Sequence, residues 1–102
     1  MDLEKLKVAI LSDNLRITIH ADEELEEDNI SVIDIKCALK NAEVIEDYPN
    51  TKPYSSCLVL CFDNNNNPIH FVWAYDAEIK IAILITAYRP APNKWVEYRK
   101  RI

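Results

Sequence analysis

The pattern of apolar and polar positions changes character halfway along the chain. In the first half, apolar residues recur at helical spacing. Leu3, Leu6, Ile10 and Leu11 predict an amphipathic helix over residues 3–12, ended by Asp13-Asn14. Arg16 to His20 alternates and is rich in β-branched residues, which predicts a short strand with Ile17 and Ile19 inward. Residues 21–28 predict a second helix anchored by Ala21 and Leu25. Ser31 opens a third as N-cap, with Asp34 at N3 and a staple of Ile30 against Ile35. Val32, Ile35, the stem of Lys36 and Leu39 form its expected buried stripe, and Asn41 suits the position that ends it.

The second half reads as strands. Glu43–Tyr48, Cys57–Phe62, Ile69–Tyr75 and Ile79–Tyr88 are β-rich runs separated by turn-forming residues. Residues 48–53 form a loop fixed by Pro49 and Pro53, and Asn64 to Pro68 makes a hairpin turn. The alternating sets Ile69, Phe71, Trp73, Tyr75 and Ile79, Ile81, Ile83, Ile85 are expected core faces. Asn93 to Arg101 is read as a short C-terminal helix with Trp95 and Tyr98 on one side. The fold expected is a single α+β domain over residues 1–102, with N-terminal helices packed on a mainly antiparallel sheet.

Composition narrows the chemistry. The chain has no glycine. Every glycine-rich phosphate loop is therefore excluded, and left-handed turns fall to residues such as asparagine. Cys37, Cys57 and Cys61 are an odd number without zinc-ribbon or C-x-x-C spacing, so small buried apolar thiols are expected rather than disulfides or a metal site. No cofactor is expected. The charged start and the absence of a long apolar run predict a cytoplasmic protein without a membrane segment.

Charge is uneven. Residues 1–50 carry thirteen acids against five bases, while 89–102 carry five bases against one acid. The acidic run 22–28 reads as a solvated helix face, and any phosphate contact is expected near the basic tail.

His20 and His70 are the only histidines. Each is expected on a strand face opposite its large apolar neighbours, as a hydrogen-bonded structural residue or as a general acid/base. Arg89, between Tyr88 and Pro90, offers a fork for an anion or for a nearby carboxylate. Trp95, Arg99, Lys100 and Arg101 combine an aromatic with bases, the composition of a nucleic-acid contact or of a docked aromatic with a solvated basic end.

Several segments together carry a resemblance: Ile19-His20-Ala21, Asn29-Ile30-Ser31, Glu43 to Pro49, Lys52 to Leu58, Pro68 to Val72, and Ile85 to Pro90. They resemble a bacterial family of small proteins of unknown function, common in cyanobacteria, which looks like a branch of the RelE/ParE/BrnT toxin superfamily. The resemblance implies a RelE-like domain acting as the toxin-like component of a type II toxin–antitoxin pair. Its implied partner is a small YgiT-like zinc-finger antitoxin, and its implied activity is metal-independent endoribonuclease. His20, His70, Tyr88 and Arg89 would then be catalytic, and Trp95, Arg99, Lys100 and Arg101 would bind RNA. The alternative is a non-enzymatic interaction module that binds a zinc-finger protein or self-associates as a homodimer.

Overall fold

The computed structural model describes residues 1–102, the side chains at 37 and 38 excepted. The expectation that Cys37 is a buried apolar residue therefore lies outside the described residues. The architecture is α+β. Three helices, α1 (Leu3–Leu11), α2 (Ile19–Glu27) and α3 (Val32–Ala38), pack on one face of a mixed five-stranded sheet. Its strands are β1 (Leu15–Ile17), β2 (Glu43–Tyr48), β3 (Ser56–Phe62), β4 (Pro68–Asp76) and β5 (Ile81–Tyr88), in the order β1-β5-β4-β3-β2. Only β1 runs parallel to its neighbour β5.

Capping fixes the helix starts. Asp2 accepts the N–H groups of Glu4 and Lys5 at the head of α1. At α3 the box is reciprocal: Ser31 N–H bonds Asp34 Oδ2 at 2.9 Å, and Asp34 N–H bonds Ser31 Oγ at 3.1 Å. Aspartate thus completes the motif in place of the usual longer acid. Asn29, at φ 56°, takes the left-handed position after α2, and Asp13, at φ 62°, does so after α1. Asn41 does not serve as such a cap; it ends a 3-10 turn, and its side chain accepts the Phe62 N–H at 3.0 Å.

The predicted strand 16–20 is cut short. Thr18 adopts an extended backbone and accepts the Ala21 N–H at 3.1 Å. A Thr cap starts a helix at once, so Ile19 and His20 become the first turn of α2, and Ile19 is 81% exposed.

The core between helices and sheet contains Leu6, Ile10, Leu25 and Ile35 against Val59, Phe71, Trp73 and Leu84. Ile69, Phe71 and Trp73 face it as predicted. β5 does not follow its predicted parity. Trp73 pairs with Leu84 and Val72 with Thr86, so Ile85 is an extra residue at a bulge. Ala82, Leu84 and Ala87 therefore face the helices, while Ile79 lies outside the strand and exposed. Leu11 and Val32, expected inward, are also exposed.

The C-terminal helix is absent. Pro92–Lys94 forms a 3-10 turn, followed by a two-stranded hairpin of β6 (Trp95–Val96) and β7 (Lys100–Arg101). Its reversal places Glu97 and Tyr98 at φ 50° and 62° and closes with the Arg99 N–H on the Val96 carbonyl at 2.9 Å. Without glycine in the chain, two ordinary residues take left-handed positions that each carry a steric cost.

Candidate functional site

The hairpin covers the sheet face opposite the helices, and three candidate residues meet beneath it. Strand register makes Glu43, Leu60, His70 and Tyr88 neighbours in one row across β2, β3, β4 and β5. His70 is fully buried in that row. Its Nε2 lies 2.7 Å from the Tyr98 carbonyl and its Nδ1 3.1 Å from Tyr88 Oη. A carbonyl only accepts, so Nε2 carries the proton. In the neutral ring Nδ1 is then the acceptor, and Tyr88 donates to it. Burial pushes the His70 pKa down, although the Tyr98 carbonyl and the Glu46 charge pull the other way. Burial also pushes the Tyr88 phenol up, which keeps its proton in place.

Trp95 packs edge-on against His70, with ring centroids 4.5 Å apart. Arg101 lies over the Trp95 ring at 4.7 Å and bonds Glu46 through Nε at 2.8 Å and Nη2 at 3.2 Å. Arg101 is the main cause that holds the Glu46 carboxyl below its usual range, assisted by the Tyr48 hydroxyl, which also donates to Glu46. Arg99 bonds Glu43 at 2.7 Å. Lys100 is exposed.

Arg89 sits in a different setting. Its backbone N–H donates to Asp28 Oδ2 at 2.7 Å and its Nε to the Asp28 carbonyl at 3.3 Å. Its Nη1 lies 3.1 Å from Asp63 Oδ2, an ion pair without hydrogen-bond alignment. Burial works against the Asp63 carboxylate, but the N–H groups of Asn67 and Asn65 and the Arg89 charge outweigh it and keep its pKa below the usual value. Asp63 thereby ties the β3–β4 turn to the end of β5.

The acids of α2 divide into two sets. β1 ends at Ile17, opposite Leu84; Thr18 adds its N–H to the Leu84 carbonyl and its hydroxyl to that of Ile85, and beyond these the outer edge of β5 has no strand beside it. Glu24 Oε1 accepts the Ala87 N–H at 3.3 Å, and Asp28 Oδ2 accepts that of Arg89. These two carboxylates, four residues apart on one helix face, stand where a continued β1 would have offered carbonyls. The reading of the whole run as a solvated face is corrected for Glu24 and Asp28. Asp22, Glu23, Glu26 and Glu27 are exposed.

His20 is exposed on the first turn of α2, with Nε2 3.1 Å from Glu24 Oε1. Among the described residues, no hydrogen bond, ion pair or ring contact links the three groups centred on His20, Arg89 and His70. The structure thus unites His70, Tyr88 and Trp95, adds Arg101 through the indole, and places His20 and Arg89 apart from them.

The partners Glu43, Glu46, Asp63 and the Tyr98 carbonyl were not foreseen. They lie 26 to 56 positions away from the residues they hold, and no local spacing marks them. Asp63 alone had a nearby signal, the Asp-Asn-Asn turn it closes through its own side chain.

Cys57 and Cys61 are free and buried, and burial pushes their pKa values up to about 11 and about 12. Among the described residues, no group of three or more His, Cys, Asp or Glu side chains is placed to hold a metal, and no helix is long and apolar enough to cross a membrane.

No curated protein and no solved structure matches the chain. One family model does, over residues 17–89, a span running from the end of β1 to Arg89 and leaving out the hairpin. That span is most of the chain and contains His20, His70, Tyr88 and Arg89. The chain belongs to the family described as a domain of unknown function, DUF4258.

Proposed function

We propose that this domain is a non-enzymatic protein-interaction module, related to the RelE/ParE/BrnT toxins by the resemblance noted above, that binds a small partner protein with a basic surface. The observation carrying this reading is that the candidate catalytic side chains do not form one site and already have partners: His70 and Tyr88 bond each other beneath the hairpin, while His20 and Arg89 stand apart beside carboxylates. His70 is dry, neutral and bonded at both nitrogens. A general base must reach a substrate proton, and this one has no free atom to offer. Arg89 is engaged by Asp28 and Asp63, and Arg99 and Arg101 by Glu43 and Glu46. Each guanidinium already has a carboxylate beside it, whose negative charge opposes the approach of a phosphate. The exposed acids of α2 add charge complementary to a basic partner.

The partner implied by the resemblance, a YgiT-like antitoxin, is tested by co-expression with the adjacent reading frame. Co-purification of a complex that weakens with added salt is the expected result. Purified protein is expected to leave RNA intact. A second reading, endoribonuclease, is favoured by one observation: the exposed His20 is oriented by Glu24 as an acid/base imidazole would be. RNA cleavage that is lost in His20→Ala, a change on an exposed side chain, would replace the first reading with the second.

A further inference from the structure

Helix α1 and the turn between β4 and β5 enclose a recess of about 430 Å³, open on one side to solvent. Carbon lines most of it. Val8 and Ala9 from α1, Ala77 from the turn and the ring of Tyr75 near the end of β4 form its walls. Val8 is 65% exposed, so one wall presents a branched aliphatic side chain to water. This size and this lining are those of a small-molecule pocket.

The polar groups at the recess are mainly donors. Lys5 and Lys80 each bring an ammonium, Asn14 an amide and Tyr75 a hydroxyl. Among the described residues, none of these four side chains has an ion-pair or hydrogen-bond partner. Arg89, Arg99 and Arg101, in contrast, already have carboxylates beside them. One acid, Glu4, also lines the recess, and it lies 3.9 Å from the Lys7 ammonium, which offsets its charge. The lining is therefore cationic in a chain whose net charge is −5.

The backbone behind these groups is fixed. The Asn14 N–H bonds the Ala9 carbonyl at 2.8 Å, and the Asn14 carbonyl accepts the Ala82 N–H at 2.9 Å. Asp76 accepts the Glu78 N–H at 3.1 Å and sets the turn, which reaches Lys80 at φ 56°. The recess thus exists before a ligand arrives, and the two lysine side chains are the main groups to be ordered on binding.

From the unpartnered donors around an apolar recess, we propose that it binds a small organic carboxylate with an aromatic or aliphatic body. The ammonium groups of Lys5 and Lys80 meet the carboxylate, and the body covers Val8, Ala77 and the Tyr75 ring. An inorganic anion would leave that carbon surface wet, and a neutral hydrocarbon would leave the ammonium charges unmatched. This goes beyond the partner binding proposed above. No residue of the recess belongs to α2 or to the hairpin, so either reading can fail without the other.

The test is a titration of isotope-labelled full-length protein with phenylacetate and, separately, hexanoate, followed by amide NMR shifts. Acetate supplies the charge without the body, and phenylacetamide and hexanamide supply the body without the charge. At least one of the two acids is expected to bind at a single site, with saturating shifts centred on Val8, Ala9, Asn14 and Ala77. It should bind about threefold or more tightly than acetate and than its own amide. Lys5→Gln and Lys80→Gln should each weaken binding about two- to fivefold, the range for an exposed ion pair, and added salt should weaken it too. Ala77→Trp should fill the recess and remove binding. All three substitutions fall on exposed residues, and circular dichroism with the thermal midpoint checks that each variant stays folded. Shifts that do not saturate or that centre elsewhere, acetate or the amide binding as well as the acid, or unchanged affinity in both lysine variants would overturn the proposal.

Discussion

His70 and Tyr98 lie 28 positions apart, yet a 2.7 Å hydrogen bond joins Nε2 of one to the carbonyl of the other. The bond connects a fully buried sheet residue to the one turn of the hairpin where two non-glycine residues hold positive φ. His70 is thus the peg on which the hairpin hangs.

Replacing His70 with Phe keeps an aromatic of similar bulk but leaves the Tyr98 carbonyl and the Tyr88 hydroxyl without their partner. A loss of about 2–4 kcal/mol is expected, since each unsatisfied buried group costs roughly 1–3 kcal/mol. Urea unfolding monitored by circular dichroism measures the loss. Tryptophan emission should shift to the red as Trp95 loosens.

His70 also sets a pH dependence. Its folded pKa is below the ordinary value of 6.5, so between the two values the unfolded chain binds more protons than the folded one. Stability is full above about pH 6.5 and falls as pH drops from there toward the folded pKa. Urea midpoints across pH 8 to 5 should decline for the wild type, and the decline should be smaller in His70→Gln. Equal slopes would show that the imidazole does not titrate as inferred.

Asp28 tests the role of the α2 acids. Asp28→Ala removes the acceptor of the Arg89 N–H and is expected to cost about 1.5–3 kcal/mol, the range for a hydrogen bond to a charged group. Asp28→Asn keeps an acceptor and should cost less. Exposed Glu27→Ala should change the thermal midpoint little. A solvated, purely electrostatic face would instead make all three substitutions alike or stabilising.

The thiols of Cys57 and Cys61 should resist modification. Burial raises both pKa values and closes access. In a Cys37→Ala background, so that only these two are counted, a thiol reagent at pH 8 should react slowly with folded protein and fully in denaturant. Rapid labelling of the folded chain would show that β3 opens locally.

Ser31→Ala removes one half of the reciprocal cap on α3, with an expected cost of about 1 kcal/mol by thermal denaturation.

Much of the molecule was legible in local pattern. The three helices, the strands β2 to β4, the asparagine turn and the core face Ile69, Phe71, Trp73 follow from periodicity and turn chemistry, because those signals act over a few residues. The misreadings have the same origin in reverse. Ile19 and His20 alternate like a strand, but Thr18 caps a helix there; the evenly spaced isoleucines of β5 mark a core face only if no bulge intervenes; and Trp95 to Arg101 suits a helix until two residues accept positive φ.

The candidate site divides along the same line. By itself the sequence determined which residues carry chemistry: two histidines, Arg89 beside Tyr88, a basic aromatic tail, an acidic first half and no glycine loop. Tertiary structure alone decided what those residues meet. It buried His70 under the hairpin, gave Arg89 to Asp28 and Asp63, and set Arg99 and Arg101 on Glu43 and Glu46. The reason is physical: whether an imidazole or guanidinium is available for chemistry depends on its solvation and its partners, and both are fixed by strand register between segments distant in the chain.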